Sequence, residues 1–220
     1  MTRRLAALAA TMLSLASTTI IASSASAQSS PVRLGVLGGM NVATLRTDID
    51  GFFEPDNRIG GVLGVQLIAP LSGMVGLEID GLYSMKGAKV GVSAFDATAK
   101  FDYLEFPVLL RLDLAKASPI SPYIVAGPSF AVRVRCKFGV QVFISVATDC
   151  DNVDNVFDTK LTKTFDAGAV IGGGLDFAVG ANTVSFGARY TYGLVDLADI
   201  GSIRNRAISL LGGVSMPIGR

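Results

Sequence analysis

Val184-Ser185-Phe186-Gly187-Ala188-Arg189-Tyr190-Thr191-Tyr192-Gly193 alternates without a break. Val184, Phe186, Ala188, Tyr190 and Tyr192 fall on one face of an extended chain, and Ser185, Gly187, Arg189, Thr191 and Gly193 on the other. A two-residue period belongs to a strand. The two faces are unequal in an informative way. One carries no charge, while the other mixes glycine and small residues with an arginine. A strand face turned to water would normally carry many more Lys and Glu, and an apolar surface of this kind repeated around a molecule would make it aggregate. In lipid the same surface is required, and only a closed barrel then satisfies every backbone group.

The pattern recurs along the chain. Val32, Leu34, Val36, Met40 and Val42 oppose Arg33, Gly35, Gly39, Asn41 and Ala43; Leu63, Val65 and Leu67 oppose Gly64 and Gln66. Val75, Leu77, Ile79 and Tyr83 oppose Gly76, Glu78, Asp80 and Ser84, and Leu104, Phe106, Val108 and Leu110 oppose Tyr103, Glu105, Arg111 and Asp113. Ile124, Phe130, Val132 and Val134 oppose Tyr123, Ser129, Arg133 and Arg135; Phe165, Ile171 and Leu175 oppose Asp166, Gly172 and Asp176. Ile208, Leu210, Val214, Met216 and Ile218 oppose Ser209, Gly213 and Ser215. These segments predict an all-β, transmembrane antiparallel up-and-down barrel of about eight strands, the smallest usual size. Residues 70–73, 115–121 and 180–182 read as tight turns. Segments 44–58, 87–99, 136–163 and 194–206 read as long polar loops, the layout of short periplasmic turns and long extracellular loops.

A rival reading is a membrane-spanning helix over residues 59–77, which is uncharged and long enough to span. Its glycines and the turn chemistry of Pro70-Leu71-Ser72-Gly73 favour two strands instead. Residues 1–27 read as a secretory signal: Arg3 and Arg4, an uncharged run from Leu5 to Ile21, then Ala25-Ser26-Ala27 before the expected cleavage. The Arg-Arg pair lacks the rest of a twin-arginine motif, so ordinary secretion is expected, with residues 28–220 forming one barrel domain. The chain has 19 Lys+Arg against 18 Asp+Glu, and 17 against 18 without Arg3 and Arg4, so no electrostatic footprint for nucleic acid is present. A mean hydropathy of +0.50 is high for a soluble domain, and 25 glycines argue against helices.

Tyr83-Ser84-Met85-Lys86-Gly87-Ala88-Lys89, Tyr103-Leu104-Glu105-Phe106-Pro107-Val108-Leu109-Leu110-Arg111, Pro122-Tyr123 with Gly127-Pro128, Gly172-Gly173-Gly174 and Arg189-Tyr190-Thr191-Tyr192-Gly193-Leu194 occur in an order that resembles the porin-like outer-membrane β-barrel family. The resemblance covers nearly all of the mature part. It implies an integral protein of a Gram-negative outer membrane, placed there by the barrel assembly machinery and in contact with membrane lipid and lipopolysaccharide. One departure is the end, Ile218-Gly219-Arg220, where such barrels commonly carry a terminal aromatic residue.

Histidine is absent, which removes Ser-His-Asp triads and histidine metal sites. Acids and arginines on the polar face, namely Arg33, Glu78, Asp80, Glu105, Arg111, Asp113, Arg133, Arg135, Asp166, Asp176 and Arg189, are expected to pair across the lumen as a charge network rather than to catalyse. An eight-stranded barrel is only wide enough for side chains to fill, so the network predicts a plug. Cys136 and Cys150 flank the longest loop, and in an exported chain they favour a disulfide. Asp149, Asp151, Asp154 and Asp158 do not follow the EF-hand spacing, because Asp154 and Lys160 stand at its glycine and glutamate positions. No metal or cofactor is expected. Gly172-Gly173-Gly174 lacks the Lys-Ser/Thr of a phosphate loop. Lys86, Lys89, Lys100, Lys160, Lys163, Arg204 and Arg206 cluster near the expected outer rim, where they could meet lipopolysaccharide phosphates or simply solvate loops. Tyr83, Phe106, Phe165, Phe177, Tyr190 and Tyr192 suit interfacial girdles.

These readings predict a structural or surface-interaction role with no enzymatic activity. A narrow porin is the second reading, a lipid-modifying enzyme the third and a soluble lipocalin-like carrier the fourth. No extracellular partner is named by the residues.

Overall fold

The computed structural model describes residues 31–47, 56–92, 95–115, 118–141, 145–149, 164–195 and 203–219. The proposed signal segment, 1–27, lies outside them. Among the described residues nine strands form: β1 (Val32–Thr47), β2 (Asp56–Ser72), β3 (Val75–Val92), β4 (Phe95–Asp113), β5 (Ile120–Gln141), β6 (Ser145–Asp149), β7 (Phe165–Val179), β8 (Asn182–Gly193) and β9 (Ile203–Ile218). All except β6 pair antiparallel with their neighbours in chain order. The ring closes where β1 meets β9, in an unbroken register from Val32↔Ile218 to Thr47↔Ile203. Eight strands thus make a closed up-and-down barrel, and short β6 is an addition, paired among the described residues with the far end of β5.

Both described ends of the chain lie at the rim that carries the tight turns. Two of these turns are two-residue hairpins opened by a glycine at positive φ, Gly73 (51°) before Val75 and Gly180 (63°) before Asn182. That geometry matches the twist of the flanking strands and is open to glycine at little cost. The first turn is displaced from the expected residues 70–73: Pro70 ends the regular part of β2, and a register shift between Pro70 and Ser72 accommodates it. Proline in a sheet is at home at such an irregularity.

At the opposite rim, segments expected as long polar loops are in part sheet. β3 and β4 remain paired to Val92↔Phe95, so most of 87–99 is a projecting hairpin. β5 continues to Gln141, paired with β4 and then β6, so part of 136–163 is also sheet. A membrane crossing needs only about 9–11 tilted residues; the excess length of these strands stands beyond it.

Apart from Arg135, treated below, the face assignments hold around the ring. Val36, Leu63, Val65, Leu110, Ile171, Phe186, Leu210 and Met216 are exposed on the outer wall. Gln66, Glu78, Asp80, Arg111, Asp176 and Ser215 are buried within. From Ile218 to Ile208 the outward residues of β9 are uncharged. At about 3.3 Å per residue and a tilt near 40° that run spans about 25 Å of height, the thickness of the apolar band of such barrels. Leu110 lies near the middle of the equivalent run on β4 and is 56% exposed. Leu110→Arg is therefore expected to destabilise the barrel in lipid vesicles by about 2–4 kcal/mol, read by urea titration. A wall facing water would register almost no change.

Candidate functional site: the barrel lumen

The side chains with chemistry converge inside the barrel because the pleat aims every second residue at its axis. Arg111, on β4, is 1% exposed and touches three acids. Its guanidinium donates to Glu78 Oε2 at 2.8 Å, to Asp176 Oδ2 at 2.7 Å and to Asp113 Oδ1 at 2.8 Å. Arg189, on β8, donates to Glu78 Oε1 and Asp80 Oδ2, both at 2.5 Å. Arg33, on β1, donates to Asp176 Oδ2 at 3.0 Å and to Thr183 Oγ1 at 3.1 Å. Ser185 donates to the other oxygen of Asp176 at 2.7 Å. Strands β1, β3, β4, β7 and β8 are thus tied together across the lumen. Both oxygens of Glu78 are engaged by different arginines, whereas Asp80 Oδ1 accepts no hydrogen bond. Glu78, Asp80, Asp113 and Asp176 outnumber Arg33, Arg111 and Arg189 by one charge.

Tyr123 completes this layer. The Arg111 guanidinium lies 3.7 Å from its ring centroid. Two glycines make room for the ring: a Cβ at Gly174 would come within 2.7 Å of the Tyr123 hydroxyl, and one at Gly187 within 2.6 Å. Within the Gly172-Gly173-Gly174 run it is Gly174 that leaves backbone bare for the ring, while a Cβ at Gly172 would meet Arg189.

Two apolar clusters fill more of the interior, Leu109 with Tyr123, Val125 and Val170, and Leu37 with Val62 and Leu82. The sequence reading missed their aliphatic members because each sits next to an outward apolar residue, as in Val36-Leu37, Val62-Leu63 and Leu109-Leu110, which blurs the alternation. Towards the long-strand rim the lumen turns polar again. Ser209 donates to Asn41 and Asn41 to Ser84, each at 2.5 Å. Lys86 Nζ lies 2.6 Å from Glu105 Oε1, an ion contact whose angles fall outside hydrogen-bond geometry. Arg58 donates to the Lys86 carbonyl.

Of the eleven residues expected in the charge network, Arg33, Glu78, Asp80, Arg111, Asp113, Asp176 and Arg189 form it. Glu105 is buried but pairs with Lys86, which was expected at the rim and instead is 4% exposed inside the barrel. Asp166 is buried and Arg133 half-buried on lumen-facing positions. Arg135 is a correction. Tyr103↔Arg133 is followed by Asp102↔Arg135, so Val134 is an extra residue in β5. A bulge of this kind reverses the inside-outside alternation beyond it. Arg135 accordingly faces out, with its side chain 63% exposed and 3.9 Å from Asp102, which also accepts a 2.7 Å hydrogen bond from the Tyr83 hydroxyl. Cys136 stands on β5, whereas Cys150 lies outside the described residues, as do Asp151, Asp154 and Asp158. Among the described residues no cluster of three or more metal-ligating side chains occurs.

The open space matches a filled interior. A cavity of 220 Å³ opens at the tight-turn rim, lined by Arg33, Asp113, Asp176 and Thr183 among others. A further void, beside Asn41, Glu105 and Arg189, measures about 10 Å³, the lower limit for one water.

A closed ring of eight strands, with an outer wall uncharged across its apolar band and ion pairs within, defines the class of small outer-membrane β-barrels. The outer membrane protein beta-barrel domain family matches residues 24–199, and the chain belongs to it. Among solved structures it is similar to the outer membrane protein OprG from Pseudomonas aeruginosa, at 13% identity and a TM-score of 0.52, covering 85% of this chain and 96% of that one. Neisserial surface protein A (13% identity, TM-score 0.47, 84% and 97% covered) and the outer membrane enzyme PagL (18%, 0.45, 85% and 99%) also align. A comparison with curated proteins finds no match.

Removing one partner of a buried ion pair leaves the rest uncompensated and costs about 3–5 kcal/mol. Arg111→Ala, which abandons Glu78, Asp113 and Asp176 together, is expected to fall in or above that range in equilibrium unfolding from vesicles. Asp80→Asn is expected to cost less than Glu78→Gln, because only one Asp80 oxygen is engaged.

Proposed function

We propose that this chain is a non-enzymatic integral protein of a Gram-negative outer membrane whose lumen is plugged, and whose role is structural or one of surface interaction. The observation that carries the reading is Arg111, which joins three carboxylates across the interior beside Tyr123. Interlocked side chains at that level leave no continuous path for a solute. Function then falls to the outer wall and to the strand extensions that project from the long-strand rim. In this reading residues 1–27 are cleaved on export, the assembly machinery inserts the barrel, and the tight turns face the periplasm. A Cys136–Cys150 disulfide restrains the projection that carries β6; closing a loop of roughly 15 residues would stabilise it by about 3 kcal/mol. Equal thiol labelling before and after reduction would count against that bond.

The competing reading, a narrow porin, is supported by the 220 Å³ cavity at the tight-turn rim, which Arg33, Asp113 and Asp176 help to line. Planar-bilayer recordings separate the two. The purified barrel is expected to give no steady conductance steps, and Glu78→Ser with Arg111→Ser is expected to introduce them by clearing the central layer. Reproducible large steps from the unaltered protein would overturn the plug.

A further inference from the structure

We propose that the 220 Å³ cavity at the tight-turn rim is a binding site for one primary ammonium group, held by Asp113. Two sources share that chemistry: the chain's own mature amino end, or a small organic amine entering from outside. The first source rests on the cleavage after Ala27 proposed above; the site itself does not.

Three charged side chains line the cavity, Arg33, Asp113 and Asp176, and two of them are already committed. Arg33 donates to Asp176 Oδ2 and to Thr183 Oγ1. Asp176 is satisfied in turn, with Arg33 and Arg111 on one oxygen and Ser185 on the other. Asp113 is not. Its Oδ1 accepts from Arg111 Nε at 2.8 Å, while its Oδ2 has no hydrogen-bond or ion-pair partner among the described residues, and the side chain is 24% exposed. An ionised carboxylate has about four lone-pair sites to fill. This unmet oxygen belongs to the layer whose acids, Glu78, Asp80, Asp113 and Asp176, exceed its arginines by one charge. A single univalent cation at Asp113 closes both deficits.

The lining selects among cations. One free carboxylate oxygen suits the compact point charge of an ammonium, whereas a guanidinium fork asks for two. A bare metal ion would leave most of 220 Å³ empty, and among the described residues no three metal-ligating side chains gather. An ammonium has three donors to place. Besides Asp113 Oδ2 the cavity offers the hydroxyl of Ser121, which gives its own hydrogen to the Ser118 carbonyl at 3.3 Å and keeps its lone pairs for an incoming donor. Ile68, Pro70 and Ala178 add apolar wall for the carbon atoms behind the charge. Pro31 also lines the cavity. Cleavage after Ala27 would create an α-ammonium on Gln28, three residues before Pro31 and within about 10 Å of it along an extended chain. So short a tether gives a millimolar effective concentration, enough to fill a site whose partly solvated ion pair is weak on its own.

The test uses the mature chain, residues 28–220, refolded in detergent in two forms. In one the α-amino group is free. In the other, glutaminyl cyclase has closed Gln28 to the uncharged lactam, the amine attacking the side-chain amide carbonyl and ammonia leaving. Each form is titrated calorimetrically with n-butylammonium and with uncharged n-butanol. If the amino end fills the site, the lactam form is expected to bind butylammonium about fivefold or more tighter than the free-amine form. If a separate amine fills it, the two forms bind butylammonium alike. In both cases butylammonium binds the lactam form more tightly than butanol does. Asp113→Asn, whose amide oxygen can still accept from Arg111, is expected to lose about tenfold in affinity while heat-modifiable gel mobility stays unchanged. No binding of butylammonium to the lactam form, butanol binding as tightly, or undiminished binding in the folded variant overturns the site. If the variant does not fold, the comparison of the two ligands on the unaltered barrel still decides. Failure of the export reading would show separately, as envelope protein whose intact mass retains residues 1–27, and would overturn the amino end as the source.

Discussion

A peptide group in hydrocarbon has no water to bond to, and each unsatisfied one costs several kcal/mol. The ladder between β1 and β9, continuous from Val32↔Ile218 to Thr47↔Ile203, is what lets this chain meet that condition, because it joins the two strands that would otherwise leave the eight-stranded ring open. Once the ring is closed, the rest follows from its size. Eight strands leave an axis narrow enough to be crossed by single side chains. Half of all strand residues point into that space and half towards the acyl chains, so the outer wall must be apolar while the inner one has only to be filled.

Filling it with ions carries a constraint of its own. A guanidinium in that interior is tolerable only among acids that hydrogen-bond to it. Arg111 and Arg189 satisfy this by sharing Glu78, so acids and arginines from five strands become one unit. The glycines of β7 and β8 belong to the same arrangement, since Tyr123 can lie beside Arg111 only where Gly174 and Gly187 present bare backbone. Plug and wall are therefore coupled: a substitution in either is felt in the other.

Much of this was legible in the residues, and the exceptions have identifiable causes. Uninterrupted alternation such as Val184–Gly193 gave each side chain the correct face. So did the stretch Val75–Asp80, because nothing along it disturbs the period. Arg135 was misplaced because a bulge one residue earlier resets the period, and no composition signal marks Val134 as the extra residue. Lys86 was read with the rim cations, yet β3 continues past it and the pleat turns it inward onto Glu105. The inward aliphatic residues were hidden by outward ones beside them. Which acid meets which arginine could not be read at all, since partners such as Arg33 and Asp176, or Asp80 and Arg189, meet only through the curvature of the closed sheet.

The claim on which everything else stands is that the aliphatic wall touches acyl chains while the charged wall does not. The chain contains no tryptophan, so a single one can be introduced as a reporter, at Phe106 on the exposed wall or at Tyr103, 2% exposed in the lumen. In vesicles of lipids brominated along their acyl chains, the fluorescence of Phe106→Trp should be strongly quenched and that of Tyr103→Trp should be spared. Equal quenching at both sites, or quenching confined to Tyr103→Trp, would contradict the account.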